Sequence, residues 1–107
     1  MIGIYKITNN QNGHCYIGQS RDIVSRWSDH KIAAYNERGK GYDYPLYRAI
    51  RKYDISNFSF QVLVECEIVE LNQKEIYYIS LFKPEYNQTE GGLYSIIPQR
   101  LTAKQVK

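Results

Sequence analysis

The chain has 107 residues, 43% of them hydrophobic and 23% charged, a balance that fits one small globule able to bury a core without obligatory cross-links. No apolar run approaches the roughly 18 residues of a membrane span, and no signal peptide precedes the first strand. Cys15 and Cys66 form no CxxC pair and join no His-rich cluster, which argues against structural zinc and fits a reducing, cytoplasmic setting. The net charge of +3 is mild but uneven: residues 21–54 carry eight basic side chains against five acidic ones, and residues 65–90 carry two against six. A basic middle interleaved with tyrosines (Tyr42, Tyr44, Tyr47, Tyr53) suits a polyanionic partner, although two plain solvated faces would give the same count.

In chain order, Gly3-Ile4-Tyr5-Lys6-Ile7 and His14-Cys15-Tyr16-Ile17-Gly18 flank an Asn- and Gly-rich stretch, and read as a β-hairpin. A turn at residues 9–12 with Gly13 as a bulge pairs Tyr5 with Tyr16. A turn centred on Asn12-Gly13 moves Tyr5 opposite Ser20. A first helix follows to about Tyr35, capped by Ser20 or Asp22, with Ile23, Val24, Trp27 and Ala34 as its buried stripe. Arg26 and His30 fall on one side along the stripe's edge. Taken singly, a surface pair of Arg26 with Asp22 and a half-buried packing role for His30 explain them better than chemistry does.

Pro45 opens a second helix whose Leu46, Ala49, Ile50 and Tyr53 follow the i, i+3, i+4, i+7 pattern, leaving Tyr47, Arg48, Arg51 and Lys52 on the outer face. Phe58, Phe60, Val62 and Val64 alternate with Ser59, Gln61, Leu63 and Glu65 as a strand with one buried face. A third helix over about 69–82 has the stripe Leu71, Tyr78, Ile79, Phe82, and Lys83-Pro84 ends it. Glu75 falls within that stripe. An unpaired carboxylate there costs several kcal/mol, so it needs a cation, a set of donors or an open cleft. A buried Glu–Arg pair or an exposed helix edge is the plainer alternative. Residues 93–107 read as a tail or linker after a domain of 1–92, with Thr102 as the cap of a truncated helix belonging to a further domain.

Gly3-Ile4-Tyr5 followed by Tyr16-Ile17-Gly18 resembles the signature of the GIY-YIG nuclease superfamily. Arg26 on the first helix, Glu75 on a later one and Asn87 shortly after it extend the resemblance over residues 3–92. The Asn-x-Thr-Glu-Gly-Gly run at 87–92 is similar to the form found in phage-type homing endonucleases. One departure is that residues 39–45 hold no histidine, which some homing members carry there; Tyr42 and Tyr44 are the nearest stand-ins.

The resemblance implies an α/β (α+β) fold with a small three-stranded antiparallel β-sheet flanked by helices. It implies a metal-dependent endonuclease hydrolysing DNA to 5′-phosphate and 3′-hydroxyl ends, with one Mg²⁺ (or Mn²⁺) on Glu75. Tyr5 is expected as base, its phenolate favoured by Arg26 and the metal, with Tyr16 bonding Tyr5 or phosphate. Arg26 would clamp phosphate, His30 would donate to it or shuttle protons, and Asn87 would hold the Glu75 region. His14 is a minor candidate to assist the base. Arg21, Lys31, Tyr47, Arg48, Arg51 and Lys52 are the expected DNA contacts. A homing-type module leads in a phage or bacterial setting; a restriction enzyme or a UvrC-like repair nuclease is the near alternative, and a non-catalytic DNA-binding module the distant one.

Overall fold

The computed structural model describes residues 1–88; the Thr89–Gly92 part of the turn, the tail of 93–107 and its Thr102 cap lie outside the described residues. Three strands, β1 (Gly3–Asn9), β2 (Cys15–Ser20) and β3 (Phe58–Glu65), pair antiparallel in the order β2-β1-β3. Between β2 and β3 run α1 (Ile23–Ala34) and α2 (Pro45–Tyr53), and α3 (Leu71–Phe82) follows β3. Because neighbouring strand residues point to opposite faces, β1 feeds two cores at once. Tyr5 and Ile7 pack with Ile23, Ala34, Leu46 and Ile50 beneath α1 and α2, while Ile4 joins Ile17, Leu71 and Ile79 beneath α3. No helix among the described residues is long and apolar enough to cross a membrane.

The hairpin takes neither expected register. Asn9 and His14 close a loop of residues 10–13, with Asn9 N donating to His14 O at 2.8 Å and Gly13 adopting φ +80°. Tyr5 therefore lies opposite Gly18, and Tyr16 opposite Ile7. Tyr5 and Tyr16 become diagonal neighbours on one face, with ring centroids 6.3 Å apart. Gly18 makes this possible, because a Cβ there would run into the Tyr5 phenol.

Asp22, not Ser20, caps α1 by accepting from Ser25 N. Val24 is 70% exposed, which removes it from the predicted stripe, and His30 takes its place at 2% exposure. In β3 the register slips between Ile4 and Tyr5, which pair with Val64 and Val62 respectively, leaving Leu63 as a bulge. The bulge ends the predicted alternation: Phe58 belongs to one core, Val64 packs against the other, and Val62 is left exposed. Ahead of α3, Ile68–Glu70 forms a 3₁₀ turn fixed by a Glu67/Glu70 capping box, so the α-helix starts at Leu71 rather than near Val69.

Candidate active site

One open cavity of about 300 Å³ lies where β2, α1, the first turn of α2, α3 and the segment after α3 converge, lined by residues that include Tyr16, Arg26, His30, Tyr47, Glu75 and Asn87. Each lining side chain arrives for a local reason. Asp22 fixes the start of α1, and the 3.6-residue repeat then carries Arg26 and His30 to the same side. Pro45 sets the first helical position of α2, which turns both Leu46 and Tyr47 inward. Tyr47 is 6% exposed, so its predicted place on the outer face is corrected: it is a wall of the cavity.

His30 is the centre of the hydrogen bonding. Its Nε2 lies 2.6 Å from Tyr5 Oη and its Nδ1 lies 2.7 Å from Tyr47 Oη. The rings of Tyr5, Tyr16 and Tyr47 all meet the imidazole at 5.6–5.7 Å. Burial, reinforced by the Arg26 charge, pushes His30 down to about 3, so the ring is neutral. The Arg26 guanidinium stands against the Tyr5 oxygen through charge and hydrogen bonding, not on Asp22, whose carboxylate is spent on the cap.

Arg26 does not make Tyr5 a phenolate in this structure. Burial, helped by Tyr16, outweighs the cation and raises the Tyr5 phenol well above its ordinary value. Tyr5 is also only 1% exposed and is not part of the cavity lining, so it stands behind Tyr16 and His30. Tyr16 does line the cavity, and burial together with the Glu75 charge pushes it up to about 12.

Glu75 is 9% exposed within the α3 stripe, with its Oε1 accepting from Gln19 Nε2 at 3.0 Å. The same Gln19 nitrogen donates to Asn72 Oδ1 at 2.8 Å, so the amide from β2 holds the acidic corner of the site. Asn87, expected to hold the Glu75 region, lines the same cavity as Glu75 and has its amide engaged on β2. Its Oδ1 accepts from Ile17 N at 2.9 Å and its Nδ2 donates to Ile17 O at 2.8 Å, a two-point clamp on the free edge of β2. Tyr86 N to Cys15 O (3.0 Å) and Cys15 N to Glu85 Oε1 (3.1 Å) continue the same seam.

Among the described residues no group of three or more His, Cys, Asp or Glu could enclose a metal ion. A single carboxylate beside hydroxyls and amides fits a hard, largely hydrated divalent cation and does not fit zinc.

The remaining predicted residues lie elsewhere. His14 is exposed and packs its ring against Tyr86, away from Tyr5. Arg21, Lys31, Arg48 and Lys52 are exposed outside the cavity. Arg51 is half-buried and already engaged, donating to Ala34 O at 2.6 Å and stacking 3.6 Å above the Tyr42 ring. Sequence reading missed Gln19, Asn72 and the inward turn of Tyr47. Gln19, directly after the Tyr16-Ile17-Gly18 motif on a strand, carried the one signal that could have been used.

The GIY-YIG catalytic-domain family model matches residues 1–87. No curated protein sequence matches the chain significantly. Two solved structures share the fold. The catalytic domain of the homing endonuclease I-TevI superimposes with a TM-score of 0.70 at 22% identity, covering 83% of this chain and 99% of that one. A point mutant of the catalytic domain of the intron endonuclease I-TevI gives 0.72 at 24% identity, covering 85% and 96%. With a family match over four-fifths of its length and that sheet beneath it, the chain belongs to the GIY-YIG family of endonuclease catalytic domains.

Proposed function

We propose that this domain is a divalent-metal-dependent endonuclease that hydrolyses DNA phosphodiester bonds, acting as the catalytic module of a homing-type enzyme. The observation that carries this reading is the convergence of the Glu75 carboxylate, the Arg26 guanidinium and the Tyr16 and Tyr47 side chains on one cavity. Hydrolysis of a phosphodiester needs charge stabilisation at the phosphate, a group that takes a proton from water, and a cation near the leaving oxygen. Glu75 would hold Mg²⁺ or Mn²⁺, which when bound supplies Lewis-acid stabilisation of the phosphate and leaving group.

The chain's own residues supply the rest. Arg26, half-buried and cationic, grips the non-bridging phosphate oxygens with its planar fork. Tyr16 is the hydroxyl on the cavity side, next to the charge of Glu75. Tyr5, behind it, receives the proton rather than meeting the water itself, and the neutral His30 ring lies 2.6 Å from its hydroxyl. Asn87 contributes indirectly by fixing the β2 backbone that presents Tyr16 and Gln19. Exposed Arg21, Lys31, Arg48 and Lys52 would contact the DNA backbone, which carries no direct sequence information, so sequence choice falls to a further DNA-binding domain.

Supercoiled plasmid tests the reading. The wild-type chain should nick it with Mg²⁺ or Mn²⁺ and not with EDTA, and Glu75→Ala should lose cleavage while keeping its unfolding transition. Cleavage by Glu75→Ala at the wild-type rate would overturn the role given to the carboxylate. No cleavage by the wild type, with DNA binding intact, would leave a DNA-binding module.

A further inference from the structure

Tyr47 belongs to none of the motif positions that carry the family resemblance, yet it makes one of the two short side-chain contacts to the imidazole at the centre of the site. We propose that Tyr47 is a positioning residue for the proposed hydrolysis: it fixes the tautomer of His30 and provides the exit of a proton relay running Tyr5–His30–Tyr47.

Donors and acceptors decide the matter. A neutral imidazole has one N–H and one bare nitrogen, and each nitrogen here faces a hydroxyl within 2.7 Å. The tautomer is then set by whichever hydroxyl has less freedom. Arginine can only donate, so Arg26 occupies a lone pair of the Tyr5 oxygen and withdraws electron density from its O–H. With Tyr16, also hydrogen-bonded to Tyr5, taken as a donor to the same oxygen, Tyr5 gives its hydrogen to Nε2. His30 must carry its own hydrogen on Nδ1, which donates to Tyr47 Oη. The Tyr47 hydroxyl hydrogen is left for the cavity that this residue lines. At 2% exposure His30 meets little solvent that could replace either partner.

The relay balances without leaving a charge on any of the three residues. A proton reaching Tyr5 Oη forms a new O–H bond as the old one breaks and its hydrogen passes to Nε2. The Nδ1–H bond breaks and its proton forms an O–H on Tyr47, whose original hydrogen leaves to an oxygen in the cavity. His30 ends neutral in the other tautomer. The low affinity of His30 for a second proton fits this role, since an imidazolium would have no bare nitrogen to receive one. It also removes the need for a free Tyr5 phenolate, which burial opposes.

The inference rests on the nuclease reading for its purpose, but its structural half can be read without any cleavage. Imidazole ¹⁵N–¹H correlation spectra of ¹⁵N-His-labelled protein should show His30 as one neutral tautomer with the proton on Nδ1. The chain has only two histidines, and His30→Gln assigns the signals. Tyr47→Phe keeps the ring and removes the oxygen. It should release the single tautomer and lower the single-turnover rate at saturating DNA about 10- to 100-fold, with KM for DNA unchanged. A proton on Nε2 in the wild type overturns the proposal, whether or not the variant folds. So does a Tyr47→Phe variant that cuts at the wild-type rate. A wild type with the expected tautomer that cuts no DNA would overturn the relay's role and the nuclease reading, and leave only the positioning by Tyr47.

Discussion

His30 is an imidazole shut away from water beside a fixed positive charge, and both conditions oppose its protonation. Its folded value of about 3 lies below the ordinary value of 6.5. The unfolded chain therefore binds a proton that the folded chain refuses. Stability from this residue is fully present above about pH 6.5 and is lost as pH falls from there toward 3, at up to about 1.4 kcal/mol per pH unit. Asp22, Asp54 and Glu85, all held below the ordinary carboxylate range by hydrogen bonds, lose stability in the same direction but only at lower pH. Between about pH 5 and 6.5 the histidine therefore acts above the range of those three carboxylates, and His30→Gln separates its share. Urea midpoints should fall across that window more steeply in the wild type than in His30→Gln; equal slopes would mean that the imidazole is open to solvent.

At the scale of elements, β2 is the piece that assembles the site. Its inner edge pairs with β1, and its outer edge is held by Asn87, Tyr86 and Glu85 from the segment after α3. Between those two supports it presents Tyr16 and Gln19 toward Arg26 and Glu75. Gly18 sits midway, with the Tyr5 ring lying against it where a side chain would otherwise be. In Gly18→Ala the methyl group must push Tyr5 off His30 or push the strands apart. Overpacking of this kind costs about 1–3 kcal/mol. The variant should unfold at correspondingly lower denaturant and cut more slowly, because the Tyr5–His30 hydrogen bond is what moves. Wild-type stability by denaturant titration would show that the ring does not rest on the glycine.

For the molecule as a whole, the positive charges of the middle segment divide into two kinds. Arg48 and Lys52 are exposed on α2, whereas Arg51 ties the last turn of α1 to α2 and stacks on Tyr42. Replacing Arg48 and Lys52 by glutamine should weaken binding to all DNA sequences alike. The salt dependence should flatten by up to about 0.9 in slope for each phosphate no longer neutralised, with little change in the thermal midpoint. Arg51→Ala should do the reverse, lowering stability by about 1 kcal/mol or more because a buried carbonyl loses its donor. Fluorescence anisotropy across a salt series and thermal unfolding of both variants separate the two cases. An unchanged slope in the double variant would place the DNA along Arg21 and Lys31 instead.

The sequence by itself determined the elements, because hydrophobic period, Asn–Gly turns and Pro45 act over a few residues. It also exposed Glu75, since a carboxylate at i+4 from Leu71 and i−4 from Ile79 stands out in any helical register. Motif spacing placed Arg26, His30 and Asn87 on elements that do converge. What only the tertiary structure decided were relations between elements far apart in the chain. The hairpin register turned on a four-residue loop that local rules left open, and the β3 bulge moved Val64 to the other face without a mark in the alternation. Tyr47 looked like a surface residue because helix periodicity gives a face but not its neighbours. Its meaning came from α1, which lies against it and sets His30 Nδ1 2.7 Å from the Tyr47 hydroxyl.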